Sequence, residues 1–100
     1  MSARDLFHYE VRRALEKEGW VVSADPLTIN FGEDDKMQID LAAERLLVAT
    51  KGNEKIAVEI KSFLNDSALS DFYAALGQFL SYRFALAALE PDRTLYLAVP

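Results

Sequence analysis

Apolar residues recur along this chain in two rhythms. From Ser2 to Glu18 they fall at Leu6, Phe7, Val11, Ala14 and Leu15, a helical spacing that gathers them into one stripe. Ser2 is placed to cap that helix, Asp5 follows at capping-box distance, and Gly19 is a natural stop. After Gly19 the rhythm shortens to alternation. Trp20-Val21-Val22 opens a strand that Asp25-Pro26 breaks, and Leu27 to Phe31 alternates as a second. Lys36 to Ala43 is a third, with Met37, Ile39 and Leu41 on one face and Asp40 on the other. Glu44-Arg45 reads as a break or bend before a fourth strand, Leu46 to Thr50. Lys51-Gly52-Asn53-Glu54 reads as a turn into a fifth, Lys55 to Ser62, so the last two form a hairpin. There Ile56, Val58 and Ile60 point one way, and Ala57, Glu59 and Lys61 the other.

The helical rhythm then returns. A helix from about Ala68 to Leu89 carries Phe72, Ala75, Leu76, Phe79, Leu80 and Leu86 on a broad apolar face. Glu90-Pro91-Asp92 ends it, and Thr94 to Val99 is a final strand. A strand, a crossover helix and another strand imply one parallel pairing. The predicted fold is α/β, with helices against a mixed sheet in a single domain spanning residues 1–100.

Composition narrows the class. A chain of 100 residues, 51% hydrophobic, suits one domain with one core. No apolar run reaches the length of a membrane span, and the first residues lack the apolar stretch of a signal peptide. With no cysteine there is neither a disulfide framework nor a thiolate metal site. These features predict a cytoplasmic protein that does not engage membranes. The net charge of −5 argues against gripping nucleic acid with the whole surface, but leaves room for a local basic strip or a metal-bridged phosphate.

Candidate chemistry sits on the fifth strand. Taken alone, Glu59-Ile60-Lys61 is more often the wet face of a half-exposed strand. Three observations raise it above that. Asp40 occupies an outward position on an earlier strand and can converge with Glu59 and Lys61 if the two strands lie side by side. Ala57, beside Glu59, leaves space for a ligand. Gln78 and Tyr82, at i and i+4 on the second helix, form a polar stripe able to look back at the trio. Two carboxylates suit Mg²⁺ or Mn²⁺, which prefer oxygen ligands, and Lys61 would offset charge developing on phosphorus. The chemistry that follows is phosphodiester hydrolysis. Glu10 borders the apolar stripe of the first helix, where a solvated residue pairing with Arg13 is the plainer reading. His8 has no second ligand at metal spacing and reads as a surface residue. Glu33, Asp34 and Asp35 read as a solvated turn.

An aspartate followed nineteen residues later by Glu-X-Lys, between two helices, resembles the PD-(D/E)XK nuclease superfamily. Longer stretches resemble one member family more closely. These are Ala3-Arg4-Asp5, Asp25-Pro26-Leu27-Thr28, Asp40 to Leu46, Glu54 to Phe63, Ala75-Leu76-Gly77-Gln78-Phe79 and Pro91-Asp92-Arg93. They are similar to the XisH family, the cyanobacterial fdxN-element excision controlling factors, over essentially the whole chain. The resemblance implies a restriction-endonuclease-like core and a role in excising a DNA element during heterocyst differentiation. It implies a partner, XisI, and a separate site-specific recombinase. It would make Asp40 and Glu59 the metal carboxylates and Lys61 the catalytic lysine. Glu10 would match an acid that some members carry on the first helix, and Gln78 the helix glutamine of resolvase-like members. Ile39 stands where many members have proline, and XisH-like chains usually continue past the last strand, so a C-terminal tail is expected to be missing here.

Three functions compete at this point. One is a metal-dependent DNA endonuclease, with homodimerisation to match duplex symmetry. The second is a non-catalytic regulator that binds XisI or the recombinase. The third is a DNA-binding module using Arg4, Arg12, Arg13 and Lys17, which as a helix face are more often simply solvated.

Overall fold

The computed structural model describes residues 3–31, 35–47, 52–62 and 68–100. Helix α1, Ala3–Lys17, ends where Gly19 takes a positive φ of 88°. There Trp20 N–H donates to the Leu15 carbonyl at 3.0 Å and Gly19 N–H to that of Glu16 at 3.1 Å. These two bonds form a Schellman cap, which glycine permits at no steric cost. Leu15 and Trp20, on either side of this cap, both pack against the cluster of Leu41, Ala43, Ile56 and Val58.

Six strands follow: β1 (Val21–Ala24), β2 (Leu27–Phe31), β3 (Asp35–Ile39), β4 (Leu41–Leu47), β5 (Gly52–Ile60) and β6 (Arg93–Ala98), with α2 (Ala68–Leu89) between β5 and β6. The main sheet has the order β1-β4-β5-β6, while β2 and β3 form a separate antiparallel hairpin. β1 pairs antiparallel with β4 and β4 with β5, whereas β6 runs parallel to β5. Apart from the β2–β3 hairpin, the chain therefore runs helix, three-strand meander, crossover helix and parallel strand. This is the restriction-endonuclease-like mixed sheet that the sequence predicts. Among the described residues, no helix is long and apolar enough to cross a membrane.

The alternation along β5 divides the core. Ile56 and Val58 join Leu41 and Ala43 in a cluster covered by Val11 and Leu15 of α1. Ala57 faces the other way, into a cluster with Leu95, Leu86, Ile39, Met37 and Ile29, to which α2 adds Phe79, Tyr82 and Ala85. Helix α1 thus covers one face of the sheet, and α2 with the hairpin covers the other.

The structure departs from the sequence reading at three points. Lys36 to Ala43 is two strands, not one: β3 ends at Ile39, β4 begins at Leu41, and Asp40 lies between them. Met37 and Ile39 consequently enter one apolar cluster and Leu41 the other, where unbroken alternation would have kept all three together. Glu44-Arg45 is not a break, because those residues pair in register with Lys55 and Glu54, and Arg45 bonds Glu54 at 2.9 Å. Gly52 to Glu54 is not a turn but the start of β5, paired with Leu47 to Arg45. Ser2, Glu33, Asp34 and the connection after Ser62 lie outside the described residues.

Candidate functional site

The break at Asp40 makes the site. β4 and β5 are in register at Leu41 and Val58, so one further step brings Asp40 opposite Glu59. The chain bends there, so the ladder loses its next carbonyl acceptor for the Ile60 N–H. The Asp40 side chain replaces it, with Oδ2 accepting from Ile60 N–H at 2.7 Å. On the other side of β5, Lys61 N–H continues the ladder to the Ala98 carbonyl at 3.0 Å. Asp40 is thereby pinned to the backbone of the strand that carries Glu59, and Lys61 follows at its end.

Glu59 is only 4% exposed. A buried carboxylate needs a counter-charge, a proton or a cation, because low-dielectric surroundings disfavour its charged form. Burial pushes its pKa up to about 8. The Asp40 side chain adds to this by hydrogen-bonding the protonated form and by like charge, while the Lys61 charge and the Asp40 backbone amide pull the other way without cancelling it. At neutral pH Glu59 therefore keeps its proton, which its hydrogen bond to the Asp40 side chain holds in place.

Helix α2 brings a second pair to the same place. Gln78 Nε2–H donates to Tyr82 Oη at 2.9 Å. Burial raises the Tyr82 pKa first, the charge of Glu59 next and that of Asp40 less, against the opposing Gln78 hydrogen bond. The phenol stays protonated, and because Gln78 occupies its oxygen as acceptor, its own O–H is available to donate. Sequence spacing groups Tyr82 with Gln78 but assigns it no role of its own. The structure sets it in the field of both acids.

The sequence candidates thus separate. Asp40, Glu59 and Lys61 come together, with Gln78 reaching them through Tyr82. Glu10 is exposed on α1, which packs through Val11 and Leu15 onto the opposite face of the sheet. Among the described residues no group of three or more His, Cys, Asp or Glu side chains is arranged to hold a metal ion. His8 lies at the surface of α1, where its Nε2 meets Asp25 Oδ1 at 2.9 Å, and Arg12 meets the other Asp25 oxygen at 2.7 Å. These contacts tie α1 to the corner after β1 and occupy part of the basic strip on that helix. Arg13 lies over the Tyr9 ring, 6.0 Å from its centre.

Does the donor set fit a divalent cation? Asp40 and Glu59 offer hard oxygen ligands, and the buried acid beside a second acid is a place where a cation would relieve repulsion. One Asp40 oxygen is held by Ile60 N–H, and a cation would take the place of the proton by which Glu59 bonds the Asp40 side chain. The residues fit.

Fold and site together define an α/β protein of restriction-endonuclease-like architecture, with two facing carboxylates and a lysine at one end of the meander. The chain belongs to the XisH family: the family model described as XisH protein matches residues 1–100. The crystal structure of an XisH family protein from Nostoc punctiforme PCC 73102 is 52% identical and aligns with a TM-score of 0.82, over 96% of this chain and 70% of that one. The crystal structure of an fdxN element excision controlling factor protein from Anabaena variabilis is 53% identical, with a TM-score of 0.82 over 97% of this chain and 70% of that one. Comparison with curated proteins found no match.

Proposed function

We propose that this chain is an fdxN-element excision controlling factor and that Asp40, Glu59 and Lys61 form a metal-dependent site for hydrolysing DNA phosphodiesters. The observation that carries the proposal is the buried Glu59 carboxyl held against Asp40, an acid that keeps this place without a ligand only by retaining its proton. Asp40 and Glu59 would hold Mg²⁺ or Mn²⁺, which would supply Lewis acidity and a more acidic bound water. Lys61, beside them, offsets negative charge on a phosphate. Tyr82, steadied by Gln78, lies in the field of both acids. Membership of the XisH family and the likeness to the fdxN element excision controlling factor of Anabaena variabilis support the excision role.

The test is calorimetric titration of Mg²⁺ and Mn²⁺ into the wild type and into Asp40→Asn. We expect binding to the wild type with release of about one proton, because Glu59 must surrender the proton it holds. Asp40→Asn should lose that binding. Cleavage of branched and duplex DNA should then follow the same variants. Wild type that binds neither ion, with or without DNA, would overturn the nuclease reading. The net charge of −5 favours a second reading, in which the chain regulates excision by binding an XisI-like protein or the recombinase and cuts nothing.

A further inference from the structure

The β2–β3 hairpin carries polar side chains that the fold itself does not use. Ile29, Met37 and Ile39 turn inward and are buried, so the alternate positions, Thr28, Asn30, Lys36 and Gln38, turn outward and are exposed. Register sets Thr28 across from Gln38 and Asn30 across from Lys36, so the four form one patch. None of them has a hydrogen-bond or ion-pair partner among the described residues, although each has a polar neighbour directly opposite. Polar side chains elsewhere do find partners, as His8 and Arg12 with Asp25, Arg45 with Glu54 and Gln78 with Tyr82 show. Hydrated in the free chain, the patch needs no permanent cover and can exchange its water for a ligand.

The chemistry of the patch points to its occupant. Asn and Gln each present a donor and an acceptor side by side, matching the paired acceptor and donor on the major-groove edge of adenine. Lys donates to a phosphate or to the guanine edge, and the Thr methyl meets that of thymine. None of the four is acidic, in a chain whose acids outnumber its cations 16 to 11. The one charge on the patch is therefore complementary to DNA, where the chain as a whole is not. The dimensions fit as well. The major groove, about 12 Å wide, admits a two-stranded ribbon. Successive outward residues on one strand are roughly 6.8 Å apart, the rise of about two base-pair steps. The placement fits too. β3 ends at the buried Ile39 and Asp40 follows it directly, so the ribbon and the carboxylate site are fixed to one another.

We propose that the outer face of the β2–β3 hairpin reads duplex DNA from the major groove, with Asn30 and Gln38 on base edges and Lys36 on an adjoining phosphate. This rests on the reading above that the chain acts on DNA, and it names the form of that DNA: a duplex with a preferred sequence over roughly three base pairs. A chain at −5 gains little from the phosphate backbone as a whole, so base contacts supply much of its hold.

Selection from a pool of duplexes with a randomised core tests this, followed by fluorescence anisotropy on the enriched duplex and on a random one. Ca²⁺ replaces Mg²⁺ throughout, so that binding is read rather than cutting. Wild type should enrich a preference spanning roughly three base pairs. Asn30→Ala and Gln38→Ala should each weaken binding of the enriched duplex roughly tenfold and leave binding of the random duplex nearly unchanged. Lys36→Ala should weaken both and reduce the slope of log affinity against log salt by about 0.9. All three positions are exposed, so the circular dichroism spectrum should not change. Wild type that binds no duplex, or that enriches no sequence, overturns the proposal. So do variants that bind the enriched duplex as tightly as wild type, an outcome that leaves the nuclease reading to be decided by cation binding at Asp40 and Glu59. Wild type that binds no Mg²⁺ yet keeps these effects of the hairpin variants fails the nuclease reading and upholds the ribbon.

Discussion

The same strands carry two charged clusters on the same face of the sheet, one at each end, and the two are built on opposite principles. At one end Arg93, its side chain only 6% exposed, bonds the Ile56 carbonyl at 2.9 Å, Glu90 at 3.2 Å and Glu44 at 3.3 Å. One buried cation there meets two carboxylates and a carbonyl, and little is left unpaired. At the other end Glu59 is buried against a second acid, with Lys61 as the neighbouring cation that lowers its pKa. A fold can neutralise a buried charge, as Arg93 shows. The Glu59 end instead retains an arrangement that costs stability, which is how sites for ligands commonly differ from structural ion pairs.

Disrupting the satisfied end should have the largest effect. Arg93→Ala leaves the Ile56 carbonyl and two glutamates without their donor, and it should lower unfolding stability by roughly 2–3 kcal/mol in urea, since the glutamates are partly hydrated. The repulsive end should respond with the opposite sign. Glu59→Gln keeps the shape of the protonated acid and removes its titration, so it should stabilise the protein by roughly 1–3 kcal/mol near pH 9. It should also abolish cation binding. The pH dependence follows from the same group. Its folded pKa of about 8 lies above the ordinary 4.5, so the folded state holds the extra proton between those values. Stability from Glu59 is complete below about 4.5 and is lost as pH rises through about 8. Thermal melts of the wild type from pH 5 to pH 9 should fall over this window more steeply than those of Glu59→Gln; parallel curves would remove the repulsive pair from the account.

Lys61→Met sharpens the contrast differently. It should abolish DNA cleavage while leaving cation binding largely intact, which calorimetry beside a cleavage assay would show. The smallest effect belongs to the exposed bridge on α1. Arg12→Ala should change stability by less than about 1 kcal/mol, because its pair with Asp25 is hydrated.

Much of this organisation is legible in the residues, and the losses have physical reasons. Periodicity places α1, β2, the core of β5 and both ends of α2, because a buried stripe or face leaves a repeating mark. It does not reveal the bend at Asp40. Met37, Ile39 and Leu41 keep perfect alternation across it, and alternation does not report which cluster each residue enters. Glu44-Arg45 resembles a break because two charges interrupt an apolar run. Only the cross-strand partners, Lys55 and Glu54, show why a strand accepts them there. The convergence of Asp40 with Glu59 is readable as a conditional: it holds if the strands are neighbours, and they are. Glu10 shows the limit. Its place beside the helix stripe is plain in the sequence, but the face of the sheet that α1 covers is a tertiary fact.

The hydrogen bond from the Ile60 amide to Asp40 also makes the site observable in solution. An amide proton held by a carboxylate oxygen resonates at a position that depends on the charge of that carboxylate. When Asp40 gains a cation, the Ile60 signal in a ¹⁵N-resolved magnetic resonance spectrum should move, while the Lys61 amide, bonded to Ala98 on the far side of the strand, should shift far less. One backbone resonance thus reports occupancy of the site atom by atom, without a substrate and whether or not a bond is ever cut.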